Sequence, residues 1–244
     1  MKVRADQRLV ELGLAESLAL ARALLLGGKV WSREQRIEKA GELLKPDAML
    51  RVSRERRFVS RGGEKLDGAL QVFGLNIQGW VCADLGASTG GFVDCLLQRG
   101  AARVFAVDVG KGLLAGKLLA DPRVSVQDET NARDLSLQSF SEPLDLVTVD
   151  VSFIGINRVA PAIARILAPG RWLVAMIKPQ FEAAESDVSK GRGVIRDPVV
   201  REAAIATACK ALEGAGFQIT KSVDSSLKGP KGNLEHFVLA ERCT

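Results

Sequence analysis

The chain has 244 residues, of which 47% are hydrophobic, and its formal net charge is +5. That length suffices for one large domain, or for an ordinary domain with a small one beside it. No apolar run reaches the roughly 18 residues that a membrane-spanning helix needs, and the first residues lead into a charged segment instead of a signal peptide. We therefore expect a soluble, cytoplasmic protein that does not bind membranes.

Cysteine and histidine usage argues against a bound metal ion. None of the four cysteines lies in a Cys-x-x-Cys pair, and His236 is the only histidine. Structural zinc sites usually combine such ligands at short spacing. We therefore expect no metal, and we expect free thiols of the kind found in a reducing compartment.

The positive charge is concentrated at the N-terminus. Residues 1–60 hold 13 Lys and Arg against 8 Asp and Glu, whereas residues 61–244 hold 21 of each. Clustered positive charge attracts polyphosphates without reading base sequence. We predict that residues 1–60 bind structured RNA. The candidate phosphate contacts are Arg4, Arg8, Arg22, Lys29, Arg33, Arg36, Arg51, Arg54, Arg56 and Arg57.

Residues 1–60 are predicted to form a small α+β RNA-binding domain. Asp6 and Ser17 can each cap a helix, the second of them over residues 18–26. Short strands are predicted at residues 29–31 and 49–52. The arginine-rich residues 53–61 are interpreted as a linker, which leads into a second domain over residues 61–244.

The second domain alternates apolar strands with helices. Near-continuous Val, Ala and Leu strands with helices between them indicate a parallel sheet that is covered on both faces. Two late strands without a helix between them predict an antiparallel edge. The fold class is therefore α/β, a doubly wound, mostly parallel, seven-stranded Rossmann-like sheet with an antiparallel edge strand. The predicted strands are residues 80–85, 103–109, 124–127, 144–150, 172–177, 218–223 and 236–240, and the predicted helices include residues 91–98, 156–167 and 199–214.

A glycine-rich turn follows the first of these strands. Residues 84–92 read Asp-Leu-Gly-Ala-Ser-Thr-Gly-Gly-Phe. Glycines at such a turn let the backbone bend sharply and approach a ligand closely. Acidic residues also end the first three strands, at Asp84, Asp108 and Asp128. Because ligands of open α/β sheets bind outside the carboxyl ends of the strands, we expect these carboxylates to line one pocket.

A pocket of carboxylates favours S-adenosylmethionine as the cofactor. That molecule carries a sulfonium and an ammonium group and no phosphate, whereas the pyrophosphate of NAD would be repelled. Asp108 can accept hydrogen bonds from both ribose hydroxyls, and Asp128 could reach the adenine amino group. The candidate cofactor contacts are Asp84, Gly86, Ser88, Gly90, Gly91, Phe92, Asp108, Val109, Asp128 and Asp150.

Four charged residues are candidates for catalysis. Methylation of a ribose hydroxyl needs a group that takes up or shares the hydroxyl proton, and a lysine beside carboxylates can do this. Lys178 and Asp150 end the fifth and fourth strands, whereas Lys65 precedes the first strand and Glu235 stands at the start of the last. Strand ends converge at one edge of a parallel sheet, so these residues could meet. Spacing alone does not select these four residues, since the chain contains 34 lysines and arginines, most of which are expected on the surface.

Residues 62–244 resemble the FtsJ/RrmJ-type ribose 2′-O-methyltransferases. With the N-terminal domain included, the chain resembles the TlyA family, whose members are called hemolysin A-like proteins or ribosomal RNA cytidine 2′-O-methyltransferases. The family's Lys-Asp-Lys-Glu tetrad maps onto Lys65, Asp150, Lys178 and Glu235. The matching stretches are residues 60–66, 84–92, 150–153, 178–182 and 193–197.

The resemblance implies a methyltransferase that acts on ribosomal RNA or ribosomal subunits, with S-adenosylmethionine as methyl donor. Lys178 would then accept or steer the proton of the attacking 2′-hydroxyl. Asp150 and Glu235 would orient it, and Lys65 would add a positive charge that favours its neutral form. One departure is visible: the family's interdomain Arg-x-Trp-Val reads Arg-Arg-Phe-Val at residues 56–59, which keeps an aromatic ring and loses the indole N–H donor.

Three alternatives stay open. Base methylation is disfavoured, because residues 150–153 read Asp-Val-Ser-Phe where adenine N6 enzymes carry Asn/Asp-Pro-Pro-Tyr/Phe, and no cysteine lies near the ends of the fourth and fifth strands for attack on cytosine. A membrane-active hemolysin is disfavoured, because the sequence has no long basic amphipathic helix. An RNA-binding protein with an inactive enzyme domain conflicts with the intact tetrad. The modified nucleotide, the ribosomal subunit and the oligomeric state are left open.

Overall fold

The computed structural model describes residues 2–33, 35–52 and 57–243. The chain divides into two compact units, Met1–Arg56 and Arg57–Thr244. Residues 57–61, which we assigned to the linker, belong to the second unit, because Phe58 is 2% exposed in its hydrophobic core. Residues 53–56 lie outside the described residues, and so do the RNA contacts predicted at Arg54 and Arg56.

The first unit packs two helices with short antiparallel strands. Strand β1 pairs with β4, and β2 pairs with both β3 and β5. Alanine and leucine side chains of both helices form its core with Val30 and Ile37. The elements are β1 (Val3–Arg4), α1 (Ala5–Glu11), α2 (Leu18–Leu26), β2 (Val30–Ser32), β3 (Gln35–Ile37), β4 (Leu43–Leu44) and β5 (Leu50–Val52).

One of the two predicted helix caps is confirmed. Ser17 Oγ accepts a hydrogen bond from Leu20 N at 3.2 Å, as expected of an N-cap. The cap predicted at Asp6 is wrong, because α1 already begins at the preceding residue and the side chain of Asp6 is buried. There it receives hydrogen bonds from Arg4 and Arg22 at 3.0 and 3.1 Å. The bond from Arg4, opposed by burial and supported by Arg22, lowers the pKa of Asp6 to about 2.

The second unit is built on a seven-stranded sheet. Its strands are β6 (Val81–Leu85), β7 (Arg103–Val107), β8 (Val124–Gln127), β9 (Leu146–Val149), β10 (Trp172–Ile177), β11 (Phe217–Asp224) and β12 (His236–Arg242). The sheet order is β11-β12-β10-β9-β6-β7-β8. All pairings are parallel except those of β12, which runs antiparallel to β10 and to the edge strand β11. The predicted mostly parallel sheet is confirmed, with strand ends shifted by at most two residues.

Helices cover both faces of this sheet. They are α3 (Arg61–Phe73), α4 (Gly91–Gln98), α5 (Gly116–Leu119), α6 (Ala160–Ile166), α7 (Pro179–Glu182), α8 (Glu185–Lys190) and α9 (Pro198–Gly214). Side chains of successive strand residues point to opposite faces, so Cys82 joins a core with α3 and α4, and Ala83 joins one with α6 and α9. The doubly wound arrangement places the inner parallel strands between two apolar layers.

Two helical regions differ from the sequence predictions. The helix predicted over residues 156–167 is split into a 3-10 turn, Ile156–Arg158, and α6. Pro161 lies in the first turn of α6 and has no N–H to continue a preceding helix. Helix α3 was missed, although Ser60 caps it and Gly74, at φ +67°, ends it. Among the described residues, no helix is long and apolar enough to cross a membrane.

Candidate active site

A cavity of about 1060 Å³ lies at the carboxyl ends of β6, β7 and β9. The segment of residues 150–159 and helix α7 form another part of its wall. Of the predicted cofactor contacts, the cavity is lined by Gly86, Ser88, Asp108, Val109 and Asp150. The parallel register of these strands brings residues distant in sequence to one edge, where open α/β sheets bind their ligands.

The glycine-rich turn needs its glycines for two physical reasons. Gly86 has φ +89°, and a Cβ there would lie 2.7 Å from the carbonyl oxygen of Asp150. Gly90 has φ +91°, and a Cβ there would lie 2.2 Å from a methyl carbon of Leu118. Ser88 adopts a left-handed backbone conformation as well, with φ +48°. The turn can therefore pass closely over the strand ends and leave room for a ligand.

Asp108 is held by the backbone of this turn. Its Oδ2 accepts a hydrogen bond from Ser88 N at 2.8 Å, and its Oδ1 accepts one from Gly110 N at 2.8 Å. Each carboxylate oxygen has a second lone pair. The fixed carboxylate can therefore still accept hydrogen bonds from a diol such as the ribose of S-adenosylmethionine.

Asp84 is a buried acid beneath the turn. It is 1% exposed, and its Oδ1 accepts a hydrogen bond from Thr148 Oγ1 at 2.8 Å. Its Oδ2 is buried and has no hydrogen-bond partner among the residues that the structure describes. Burial raises the pKa of Asp84 to about 8, and nearby Asp150 and Asp108 add to the rise, whereas the bond from Thr148 opposes it. A buried carboxyl oxygen without a partner fits a site that receives a cationic group, such as the ammonium of S-adenosylmethionine.

Lys178 and Asp150 meet at the ends of neighbouring strands. Lys178 Nζ lies 2.6 Å from Asp150 Oδ1, and it donates a hydrogen bond to Ser152 Oγ at 2.8 Å. Lys178 is only 9% exposed. Two of the three directions open to its nitrogen are therefore taken by oxygen acceptors.

Lys65 and Glu235 form a second buried ion pair, between helix α3 and the start of β12. Both are at most 6% exposed. The pKa of Asp150 is raised, above all by burial and further by Glu235, whereas Lys178 and Lys65 lower it. Because both members of this pair act on Asp150, the four predicted catalytic residues share one electrostatic environment. Removing one partner of a buried pair leaves an uncompensated charge, at a cost of about 3–5 kcal/mol.

Five predicted cofactor contacts do not line the cavity, and the buried Asp84 is one of them. Phe92 is 3% exposed and packs in the core, with its ring 6.0 Å from that of Phe237. Gly91 has no room for a side chain, since a Cβ would lie 2.1 Å from Ser60 Oγ. Gly90 belongs to the turn and packs against Leu118. Asp128 accepts a hydrogen bond at 2.8 Å from a backbone N–H of the loop that follows β7. Residues 130–133 line the wall on the side where Asp128 was expected.

The sequence analysis missed several residues of the cavity. Phe153 is 89% exposed, has φ +66°, and its ring centroid lies 5.4 Å from that of Phe181. Glu182 accepts a hydrogen bond from Ile156 N at 2.7 Å, and so ties α7 to the segment that carries Ser152 and Phe153. Burial raises the pKa of Glu182. An exposed aromatic ring at the rim can stack on a nucleobase.

Four of the arginines predicted to contact RNA form ion pairs within the first unit. Arg4 and Arg22 both hold the buried Asp6, and Arg8 lies 3.2 Å from Glu11. The first two therefore also stabilise the fold of the unit, and replacing either would weaken it independently of any RNA contact.

The remaining candidates differ in exposure. Arg33 is exposed with φ +54°, and Lys29 is half-buried. Arg36 Nε lies 3.3 Å from Glu38 Oε1. Arg57 belongs to the second unit and pairs with an aspartate of α3. The predicted RNA contacts are thus divided between the two units.

Comparison with known proteins agrees with this geometry. The family model of FtsJ-like methyltransferases matches residues 58–242. The chain is 40% identical over 239 residues to the 16S/23S rRNA (cytidine-2′-O)-methyltransferase TlyA of Mycobacterium tuberculosis. The matched region covers 97% of this chain and 89% of that protein. It is 39% identical over 241 residues to Hemolysin A of Brachyspira hyodysenteriae, which covers 97% of this chain and all of that protein.

Solved structures show the same relationship. A structure from Streptococcus thermophilus that carries the name hemolysin matches with a TM-score of 0.77 and 36% identity, over 99% of this chain and 89% of that one. An S-adenosylmethionine dependent methyltransferase from Mesorhizobium loti matches with a TM-score of 0.54 and 18% identity, over 72% of this chain and 96% of that one. The second likeness concerns the fold alone. The resemblance inferred from the sequence motifs is confirmed.

Proposed function

The chain belongs to the FtsJ-like methyltransferase family, and on that premise we propose that it methylates ribose 2′-hydroxyls of ribosomal RNA with S-adenosylmethionine as methyl donor. The observation that carries the proposal is the pairing of Lys178 with Asp150, which lines the cavity, together with the Lys65–Glu235 pair, whose charges act on Asp150. A ribosomal RNA substrate implies that the protein acts in the cytoplasm.

Lys178 is the residue that handles the substrate proton. Asp150 and Ser152 occupy two directions around its Nζ, which leaves the third for the ribose hydroxyl. In the neutral amine both N–H groups can face these oxygens, so the lone pair points to the substrate. The 2′-hydroxyl proton is then transferred to a nitrogen whose orientation is already set.

Lys65 and Glu235 set the charge around this step. Their positive and negative charges both act on Asp150, in opposite directions. When Lys178 gains a proton, Asp150 stabilises the new charge at a separation of 2.6 Å. The four residues thus work as one unit, and the loss of either lysine changes the charge that Asp150 experiences.

The cavity and the buried Asp84 beside it provide groups for two parts of S-adenosylmethionine, the ribose and the ammonium group. The cofactor supplies a methyl group that is already activated by the positive sulfonium. Asp108 would bind the ribose diol, and Asp84 Oδ2 would face the ammonium group. Gly86 and Ser88 would lie against the ligand through their backbone. Asp128 stays a candidate for the adenine contact, and its Oδ2 also accepts a hydrogen bond from the neighbouring loop.

The RNA substrate is the finer part of the proposal. Relatives that are 40% identical over almost the whole chain are named for cytidine 2′-O-methylation of 16S and 23S rRNA. We therefore propose cytidines as the target, with the basic first unit binding structured RNA through shape and phosphate contacts. Phe153 would stack on a base near the target.

Nucleoside mass spectrometry tests the proposal. Ribosomal RNA from cells without this protein is incubated with the parent protein and S-adenosylmethionine, and 2′-O-methylcytidine is expected to appear. Lys178→Ala should abolish turnover with little change in cofactor affinity, whereas Lys210→Ala, on the exposed face of α9, should match the parent. A methylated base, or an active Lys178→Ala protein, would refute the assignment.

A further inference from the structure

A short lysine-containing loop covers the tetrad on the side of Glu235. Residues 227–232 read Leu-Lys-Gly-Pro-Lys-Gly, and we refer to them as the lysine loop. Its ends are fixed by hydrogen bonds: Ser225 Oγ donates to Leu227 O at 2.8 Å, and Gly229 N donates to Asn233 O at 2.8 Å. Gly232 N donates to Gly229 O at 2.9 Å. The loop therefore has a defined conformation.

The backbone of the lysine loop lies directly against the tetrad. Gly229 is buried, and a Cβ there would lie 2.6 Å from Glu235 Oε1. Arg61, one helical turn before Lys65 in α3, donates a hydrogen bond to Lys228 O at 3.3 Å. The loop is thus fastened to both elements that carry the Lys65–Glu235 pair.

Two lysines of this loop point their charge to solvent. Lys228 and Lys231 are exposed, and within the described part of the chain neither ammonium group has an ion pair or a hydrogen-bond partner in the structure. The residues between and after them, Gly229 and Gly232, carry no side chain that could neutralise them. The second unit as a whole is close to neutral, so this is a local concentration of positive charge beside the catalytic group.

We infer that the lysine loop binds backbone phosphates of the RNA strand next to the target ribose. This inference rests on the proposed function: a ribose that reaches Lys178 brings its flanking phosphates to the rim of the tetrad, where the loop is fixed. Phosphate contacts position a nucleic acid without reading its bases. The loop therefore sets the register of the strand at the active site, separately from the docking of the N-terminal unit.

The experiment compares RNA binding and methyl transfer in the full-length protein. Lys228→Ala, Lys231→Ala and the double variant are measured against Lys210→Ala, which removes an exposed lysine from α9. Affinity for an unmodified ribosomal RNA transcript is measured between 50 and 200 mM salt. Each lost phosphate contact should flatten the slope of log affinity against log salt by about 0.7, which is about fivefold in affinity near 0.1 M. Lys231→Arg should retain the parent slope.

Four readouts separate the outcomes. In the lysine variants, kcat with saturating RNA, cofactor affinity and melting temperature should equal those of the parent, because neither side chain touches the tetrad. Affinities and salt slopes identical to those of Lys210→Ala would overturn the inference, whatever the methylation result. Weakened binding in the variants, together with a parent that methylates no ribose, would support the loop as an RNA contact and refute the proposed reaction.

Discussion

Asp84 offers a prediction in which stability and binding change in opposite directions. The acid is 1% exposed, and burial raises its pKa to about 8 from a usual 3.8. In the unfolded chain it is ionised above pH 4, whereas in the folded protein it stays protonated up to about pH 8. Folding therefore takes up a proton, and the stability associated with this group is present below pH 4 and is lost as the pH rises towards 8.

The magnitude follows from about 1.4 kcal/mol per pH unit. At pH 7 the proton uptake costs about 4 kcal/mol, and between pH 5 and pH 7 the cost grows by about 3 kcal/mol. Asp84→Asn removes this dependence and keeps an oxygen that can accept the bond from Thr148. In urea unfolding, the stability of the variant minus that of the parent should rise by about 3 kcal/mol from pH 5 to pH 7.

Asp94→Asn is the matched control. Asp94 is also buried, but hydrogen bonds from Lys117, Gln98 and Val59 outweigh the effect of burial and lower its pKa. It is ionised in both states above pH 5, so the difference between this variant and the parent should stay constant from pH 5 to pH 7. Parallel pH profiles for the parent and Asp84→Asn would refute the assignment of a buried neutral acid.

The same substitution should weaken cofactor binding. Asp84→Asn removes the negative charge proposed to face the ammonium group, and a tenfold or greater loss in affinity is expected. At pH 7 the parent should release a proton when S-adenosylmethionine binds, and the variant should not. Calorimetry in two buffers with different ionisation enthalpies measures this proton directly. Equal proton release by both proteins would place the ammonium elsewhere.

Three further substitutions probe the site and its support. Ser152→Ala should lower the single-turnover rate about tenfold to a hundredfold without changing the KM for RNA, because one acceptor that orients Lys178 is lost; an unchanged rate contradicts this. Gly63→Ala should destabilise the protein by about 1–3 kcal/mol, since its Cβ would lie 2.4 Å from the ring-bearing carbon of a buried phenylalanine. Gly68→Ala in the same helix should instead stabilise the protein by up to about 1 kcal/mol. Urea unfolding compares the two variants, and equal effects on stability would be inconsistent with the packing. Phe153→Ala should raise the KM for RNA at least fivefold, if a stacked base contributes about 1–3 kcal/mol, with unchanged cofactor affinity by calorimetry.

The fold could be predicted where the pattern is local and repeated. Seven apolar runs predicted seven strands, because a strand buried on both faces needs a continuous apolar sequence. Helix α3 was missed although it has a serine cap, buried apolar residues at 66, 69, 70 and 73, and a terminal glycine. Its buried face also contains Gly63 and Lys65, and these residues obscure the helical periodicity.

The site could be predicted only in part. The tetrad residues were identified through a family motif, since nothing local distinguishes Lys65 from a surface lysine. The proposed roles of Ser152 and Phe153 follow from their positions in the folded protein. Ser152 accepts a hydrogen bond from Lys178, and Phe153 is held in a left-handed backbone conformation at the rim of the cavity. Asp128 shows what the sequence cannot reveal about a strand-end carboxylate, because its Oδ2 accepts a hydrogen bond from the neighbouring backbone.

The pairing of Lys65 with Glu235 joins residues 170 positions apart, and this separation has a consequence for synthesis of the protein. Glu235 immediately precedes β12, which inserts between β10 and β11, so the sheet is incomplete until β12 has left the translating ribosome. Translation proceeds at about 5–20 residues per second, so the nascent chain spends roughly ten seconds or more with a glycine-rich turn and no tetrad. Methyl transfer therefore requires a chain that has been translated through Glu235 and β12.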